Sequence, residues 1–491
     1  MAKKGFKKYR DLWNGSLIRL TEFFIDMAVI VLSLIVIAEL VHFISNNSLI
    51  SIRNLFEIYA NSLPFLGLYL FIVMIFFLIY RPTLTHEKYG RSILSVFLSL
   101  VFTNFSLMVL SFLAKDDFLF GSPIEVFYIM IFQLIFFIIY KYIAYRMLAR
   151  FNRRGVMIVG PKEEVDVLAK AFLREKESNK IVKYLVYENE TKRTPKEIYH
   201  YIDEIEDVYI TAGLKESNKN AIINYVLLNT YKEVYIVPKT YEINLLKSSQ
   251  EQVDDTLVLR TKSMHLSFEQ RFFKRAFDIF VSSIGIIVAA IPMLFITLAI
   301  KLEDGGPVLY KQERIKRNNK VFKVLKFRSM KPHKEGEAGS IASVNDNRIT
   351  KVGKVIRALR VDELPQLFNI FKGEMSLVGP RPLMLSVIDA AMSKEPEFKY
   401  RSNVKPGLTG WAQIHSRYDT NDNEKLRYDL YYIRNYSFWL DIKIIFLTIK
   451  TLFIREQSVG RGDETCFEDV VKQQHINLVE VKPNILHLEK N

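Results

Sequence analysis

Four long apolar runs, near residues 20–44, 63–80, 92–114 and 123–145, fill the first third of the chain and are joined by short polar stretches. Each approaches the ~20 residues that a helix needs to cross hydrocarbon, so the pattern predicts four transmembrane helices rather than a buried soluble bundle. Beyond residue 150 the period changes. The runs "GVMIVG" (155–160), "IVKYLVY", "DVYITA" and "EVYIVP" are short and rich in β-branched and aromatic residues, and helical patterns separate them over 165–172, near 195–206 and near 215–231. Strands alternating with helices predict a parallel α/β sheet, a Rossmann-like domain over 151–265. After Gly160 the chain reads "PKEEVDVL". It lacks the second and third glycines that let backbone approach a pyrophosphate, so the expectation is a degenerate domain with a structural or regulatory role.

A fifth apolar segment covers 276–300. Arg271, Lys274 and Arg275 stand before it, and Lys301, Lys311 and Arg314 follow it. Basic flanks at both ends predict that both ends face the cytoplasm. Pro292 lies inside the run, where a helix loses a hydrogen bond and bends. The expectation is a re-entrant helix over 274–301, bent at Pro292, with Ser282 or Ser283 bonding the backbone groups freed there. An ordinary fifth span is the alternative, and it would put the charged region that follows outside.

Composition supports lipid contact: of 491 residues, 49% are hydrophobic, with 36 Phe and 25 Tyr. Orientation follows from Lys and Arg. The N-terminus carries Lys3, Lys4, Lys7, Lys8 and Arg10, and the first joint only Arg53. The second joint holds Arg81, Lys88 and Arg91; the third sets Lys115 against Asp116 and Asp117; Lys141, Arg146, Arg150, Arg153 and Arg154 close the series. That distribution predicts a cytoplasmic N-terminus and a cytoplasmic chain after 146. The first apolar run is too long for a signal-peptide core and has no small-residue cleavage site. A single cysteine, Cys466, excludes an intramolecular disulfide and a Cys-type zinc site.

Between Lys311 and Arg360 stand fifteen Lys or Arg against four acidic residues, a net +11 of the chain's +15. Lipid headgroups and phosphorylated substrates are the anions that fit. Nucleic acid is set aside, because the chain carries no recognisable reading motif. In "KVGKVIRALR", Val352, Val355, Ile356 and Leu359 recur at helical spacing between basic residues, which predicts a helix lying in the membrane surface. It leads directly to Asp362 and Glu363. Pro365 suits the first turn of a new helix, which Asp362 would cap or precede. Adjacent residues on a helix diverge by about 100°, so one carboxylate can attack phosphorus while the other holds a cation from the side. Hard oxygen ligands beside a phosphate substrate suit Mg²⁺, and aspartate is a competent nucleophile toward phosphorus. The plainer alternative is an acidic cap on a surface helix.

In order along the chain come "KRAFD" (274–278), "GPVLYKQER" (306–314), "VFKVLKFRSM" (321–330), "LRVDELPQLFNIFKGEMSLVGPRPL" (359–383), "VKPGLTGWAQ" (404–413) and "YDLYYIRNYSFWLDIKII" (428–445). Together they resemble the bacterial polyprenyl-phosphate glycosyl-1-phosphate transferases over roughly 270–455, and the preceding region resembles the large-form members. The resemblance implies four spans over 1–150, the Rossmann-like domain over 151–265, a monotopic α-rich catalytic domain over 266–455 and a tail over 456–491. It implies a multi-pass protein of the bacterial inner membrane whose aspartate, matching Asp362, attacks the β-phosphorus of a UDP-sugar and releases UMP. Undecaprenyl phosphate then takes the phosphosugar, which starts capsule, exopolysaccharide or O-antigen synthesis. Glu363 is implied to hold Mg²⁺. Arg357 and Arg381 are implied to grip phosphate, Lys326 and Arg328 to stand around the site, and Arg417 and Asp429 to match the nucleotide-sugar side.

In the family a serine often precedes the membrane proline; here Ile291 stands there. In "QERIKRNNK" Lys316 and Asn319 stand where the family usually has glycines, and of these asparagine better tolerates a left-handed conformation, so the turn there is expected to differ in shape. His415 is assigned no role. "MKPHKEGEAGSIASVNDNRIT" (330–350) reads as a mobile loop that orders over substrate, and "INLVEVKP" as a short strand pairing with a partner subunit. The Rossmann-like domain offers a surface for homo-oligomer formation. A nucleotide-sugar dehydratase is excluded, since Tyr235 and Lys239, the only Tyr-x-x-x-Lys spacing considered, enclose Pro238 at a strand end. A non-catalytic scaffold of a polysaccharide assembly complex is the remaining alternative.

Overall fold

The computed structural model describes residues 15–490 except 47–62, 83, 85–88, 115–122, 152–153, 175–179, 189–194, 332–347, 385–387, 389–391, 394, 418–419 and 455–464. The loop expected over 330–350 falls almost wholly outside the described residues, as do the basic N-terminal cluster and the joints with Arg53 and Lys115. The chain forms two compact units, Met1–Val237 with Glu464–Asn491, and Pro238–Asp463.

All four leading apolar runs are helical: α1 (Gly15–Asn46), α2 (Leu63–Tyr80), α3 (Tyr89–Ala114) and α4 (Pro123–Phe151). Among the described residues three helices of the chain are long and apolar enough to cross a membrane: Tyr89–Leu110, Phe127–Met147 and Phe268–Asp304. The expectation of four spans in the first 150 residues is thus met in length by α3 and α4. The apolar stretch Gly67–Tyr80 of α2 is shorter, and α1 carries Glu22 and Asp26. Those two carboxylates are buried with Lys141, whose Nζ lies 2.9 Å from each of them and 2.9 Å from the carbonyl of Pro82. Glu22 also accepts from Leu84 N at 2.7 Å. The start of α1, the α2–α3 joint and the late part of α4 therefore meet at one end of the helical cluster.

The strand–helix alternation folds as β1 (Arg154–Gly160), α5 (Lys162–Arg174), β2 (Lys180–Tyr187), α6 (Pro195–Ile202), β3 (Asp207–Ile210), α7 (Glu216–Asn229) and β4 (Glu233–Ile236). The four strands are parallel in the order β2–β1–β3–β4. Val156 to Val159 are fully buried, as helices on both faces of a parallel sheet require. At the carboxyl end of β1, Gly160 has φ 156, and a Cβ there would lie 1.9 Å from Thr211 Oγ1. This glycine serves strand packing. Glu164 accepts from Gly213 N at 2.8 Å, and Glu188 accepts from Asn218 Nδ2 at 2.7 Å. Carboxylates stand where a dinucleotide fold would turn its donors toward phosphate.

The second unit opens with α8 (Thr240–Leu245) and an exposed hairpin, β5 (Ser249–Val253) and β6 (Thr256–Arg260). Next comes α9 (Phe268–Asp304), begun by a Ser267–Gln270 capping box and ended by left-handed Gly305. It is one helix through Pro292. Ser282 and Ser283 both donate to the carbonyl of Ile279, so they do not serve the proline position as expected; each hydroxyl bonds back within its own turn. Hairpin β7 (Leu309–Lys316) and β8 (Lys320–Phe327) follows. Its turn places positive φ on Asn318 and Asn319 and leaves Lys316 extended. Then come α10 (Lys351–Ala358), a tight turn Val361–Glu363, α11 (Gln366–Lys372), β9 (Ser376–Val378), the 3₁₀ segment Pro396–Asn403, β10 (Gly407–Thr409), α12 (Trp411–His415), α13 (Asp422–Arg434) and α14 (Phe438–Leu452). Their shared core gathers Leu367, Ile370, Val378, Leu430, Tyr432 and Ile444 against Ala289 of α9.

The tail returns to the first unit as α15 (Phe467–Gln473), β11 (Ile476–Lys482) and β12 (Ile485–Lys490). β12 pairs antiparallel with β2, and β11 with β12. The strand predicted in "INLVEVKP" is present as β11, paired on one side with β12 and forming the edge of the sheet. Phe467, Val471 and Leu488 give it a buried apolar anchor beside β1 and β2.

Candidate active site

α10 is fixed at its N-terminal end. Thr350 Oγ1 accepts from Gly353 N at 2.9 Å, and Glu303 of α9 accepts from Lys351 N at 2.7 Å. Of its apolar stripe, Ile356 is buried against Ile300 and Phe327, with Val352 beside them, while Val355 and Leu359 stay exposed. Only half of the stripe predicted to lie in the membrane surface is therefore free to do so. Arg360 adopts φ 55, and this left-handed residue turns the chain into Val361–Glu363. Asp362 and Glu363 project from that turn. Asp362 precedes α11 without capping it, because Pro365 occupies the N-cap position and no side chain bonds there.

Cations surround the pair. Lys326 Nζ of β8 donates to Glu363 Oε1 at 2.7 Å, and Arg381 Nη2 donates to the same oxygen at 3.2 Å. Burial pushes the Glu363 carboxyl up, but Arg381 and Lys326 together outweigh it and bring the pKa down to about 2. Asp362 moves the other way. Burial and then the Glu363 charge raise its pKa, against the pull of Lys326 and Arg357. Two adjacent carboxylates thus differ: Glu363 is fixed as an anion within an ion cluster, and Asp362 is the more basic and the less neutralised.

The strip Pro380-Arg381-Pro382 is held on consecutive carbonyls. Pro380 O accepts from Gly407 N at 2.9 Å, Arg381 O from Arg401 Nη2 at 3.2 Å, Pro382 O from Arg314 Nη1 at 3.4 Å and Leu383 O from Ile315 N at 3.3 Å. Two prolines restrict φ on either side of Arg381. Upstream, Asp278 Oδ1 of α9 accepts from Ser376 Oγ at 3.0 Å and Leu377 N at 2.9 Å, which ties β9 to α9. Lys274, one turn earlier, pairs with Asp441 at 2.6 Å.

Lys326, Arg357, Asp362, Glu363 and Arg381 are therefore brought together. The other residues singled out lie elsewhere. Arg328 is buried and pairs with Asp304 at the end of α9. Asp429 is 1% exposed and pairs with Arg401 at 2.7 Å. Arg417 N donates to Thr420 Oγ1 at 2.8 Å. Pro292 is interior to α9. His415 packs against Trp411, with ring centroids 4.0 Å apart and ring planes tilted by 39°. Sequence reasoning missed Arg314, Arg401 and Asp278. Arg314 feels both Arg381 and Glu363, and burial brings its pKa down to about 10. β7 and β8 pair Tyr310 with Lys326 and Arg314 with Phe322, so strand alternation puts Arg314 and Lys326 on one face. The period-2 signal lies in the sequence, but it is legible only when the two runs are paired as a hairpin.

Among the described residues no three His, Cys, Asp or Glu side chains gather as a metal cage. The donors present are the two carboxylates of Asp362 and Glu363. Both cations converge on Oε1 of Glu363. A pair of hard oxygen ligands fits Mg²⁺, which keeps water and takes substrate phosphate for its other positions.

Comparison with known proteins gives the same region. The bacterial sugar transferase family model matches residues 269–455. A UDP-N-acetylgalactosamine-undecaprenyl-phosphate N-acetylgalactosaminephosphotransferase of Aeromonas hydrophila is 42% identical over 215 residues, covering 41% of this chain and 51% of the relative. A UDP-glucose:undecaprenyl-phosphate glucose-1-phosphate transferase of Klebsiella pneumoniae is 39% identical over 261 residues, covering 52% and 56%. For these two the match spans about half of the relative's length. The exopolysaccharide production protein PSS of Rhizobium leguminosarum bv. phaseoli is 41% identical over 198 residues, 38% of this chain and 97% of the relative. The chain belongs to the bacterial sugar transferase family.

Proposed function

We propose that the protein is a membrane phosphoglycosyl transferase that moves a sugar 1-phosphate from a UDP-sugar to undecaprenyl phosphate. The observation that carries the reading is the Asp362–Glu363 pair, with Glu363 locked as an anion by Lys326 and Arg381 and Asp362 left as the more basic neighbour. A carboxylate oxygen of Asp362 attacks the β-phosphorus. The new O–P bond forms as the bond to the α-phosphate bridging oxygen breaks, and UMP leaves with that electron pair. The phosphosugar is then an acyl phosphate on Asp362. An oxygen of undecaprenyl phosphate attacks the same phosphorus, the P–O bond to Asp362 breaks with its electron pair going to the carboxylate oxygen, and the carboxylate is restored. Lys326, Arg357 and Arg381 neutralise the phosphoryl oxygens in both steps. Glu363 is the residue that would hold Mg²⁺, which supplies charge neutralisation at the diphosphate. The names of the Aeromonas and Klebsiella relatives support these substrate classes.

The proposed setting is the bacterial inner membrane, with four N-terminal spans, a re-entrant α9 bent at Pro292 and a cytoplasmic catalytic unit. The junction of Glu22, Pro82, Leu84 and Lys141 at one end of the helical cluster supports an up–down arrangement with an even number of crossings. The test is UMP release from a panel of UDP-sugars by the full chain in lipid, with Mg²⁺ and undecaprenyl phosphate. Asp362→Asn is expected to abolish both UMP release and lipid-linked product; substantial turnover by that variant removes Asp362 as nucleophile.

A further inference from the structure

The buried pair Asp429–Arg401 lies against the backbone of the residue that reaches the acid pair. Asp429 sits on α13 with 1% of its surface exposed and touches Arg401 at 2.7 Å. Arg401, on the 3₁₀ segment Pro396–Asn403, has a side chain only 12% exposed. Its Nη2 contacts both the Asp429 carboxylate and the carbonyl of Arg381 at 3.2 Å. Arg381 in turn reaches Glu363 from a side chain that is half exposed. From β7, Arg314 donates to the next carbonyl, that of Pro382. Arg381 has long side-chain freedom, so its reach is set by where its backbone is pinned.

We infer that Arg401 is a positioning residue for Arg381, and that Asp429 acts on the reaction through Arg401 rather than by touching the nucleotide sugar. The inference rests on the phosphoglycosyl transfer reading. A buried guanidinium needs a buried carboxylate, or it swings toward solvent and releases the Arg381 carbonyl. Lysine in its place keeps the charge but not the planar fork that serves carboxylate and carbonyl together. A displacement of Arg381 by about 1 Å is enough to cost on the order of a hundredfold in rate.

The experiment compares wild type, Arg401→Lys, Asp429→Asn and the double variant, as full chains in lipid, in initial-rate UMP release with UDP-sugar varied. Each single variant is expected to lose about ten- to a hundredfold in kcat, with UDP-sugar KM within about threefold of wild type. The double variant is expected to match the worse single one, because both changes break one unit. Thermal midpoints are recorded in parallel. A tenfold kcat loss in Arg401→Lys with its midpoint unchanged separates positioning from loss of fold. A rise in KM with kcat kept, or multiplicative losses in the double variant, assigns Asp429 to direct substrate contact and overturns the inference. Wild-type protein that releases no UMP overturns the functional reading itself.

Discussion

At the scale of single residues, the site is a contrast between neighbours. Asp362 and Glu363 have nearly the same chemistry and adjacent places, yet the cations are shared unequally. That makes a pH prediction with a fixed sign. The folded-state pKa of Asp362 stands above its ordinary value of 3.8. Its charge therefore opposes folding, by an amount absent below pH 3.8 and complete once pH has risen through the folded-state pKa. Asp362→Asn is expected to stabilise the catalytic unit at pH 8 and to lose that advantage as pH approaches 4, at about 2–4 °C in thermal midpoint for each kcal/mol. An equal midpoint difference at both pH values refutes the burial of that charge. In the active enzyme, Arg357→Gln removes a cation that pulls the Asp362 pKa down. The acid limb of kcat/KM is expected to move to higher pH, since that limb reports the free enzyme. A limb that stays or moves down detaches it from Asp362.

At the scale of elements, what matters is how short pieces are pinned. α10 carries Arg357 and crosses the backbone at Ser329 closely: a Cβ on Gly353 would meet the Ser329 carbonyl oxygen at 2.0 Å. Gly353→Ala is expected to push α10 outward, to cost about 1–3 kcal/mol by overpacking, and to lower UMP release more than the stability loss explains. Retention of full activity and midpoint refutes that contact. The same scale shows what the sequence could reveal. β1 to β4 were readable because a parallel strand covered on both faces is an unbroken apolar run. The β5–β6 hairpin was not, since Ser249 to Arg260 is exposed throughout and has no buried face to set a period. Asp362, Glu363, Lys326, Arg357 and Arg381 were named through motifs and do converge. Arg401 could not be ranked above other arginines, because its role depends on a carbonyl twenty residues away. Arg328 and Asp429 sit in the matching motifs, yet their partners are Asp304 and Arg401, and pairing of that kind leaves no local mark in the sequence.

At the scale of the whole molecule, α9 decides where the catalytic unit stands. A straight 37-residue helix is about 55 Å long, well over the ~30 Å of hydrocarbon, so length alone permits a crossing. Its partners argue otherwise. Near its start, Lys274 pairs with Asp441, Arg275 donates to the carbonyls of Ile370 and Phe371, and Asp278 holds Leu377. Near its end, Glu303 accepts from Lys351 N, and Asp304 pairs with Arg328. The same compact, charged unit therefore grips both halves of the helix, and a helix crossing the bilayer would force that unit into both compartments. The face turned away from the unit exposes Phe280, Ile284, Ile287, Ile291, Leu294, Leu298 and Leu302, a stripe at helical spacing that belongs in lipid. The proposed re-entrant course, with entry and exit on one side, satisfies both faces. Single cysteines at Lys262 and Lys320, in a Cys466→Ser background that removes the exposed native thiol, are expected to react with an impermeant maleimide from the same side of sealed vesicles. Labelling of one from each side makes α9 an ordinary span. It would also part the β7–β8 hairpin, with Lys326, from the start of α9, and leave no single compartment in which Lys326, Glu363 and the Asp278-anchored strand β9 could form one site.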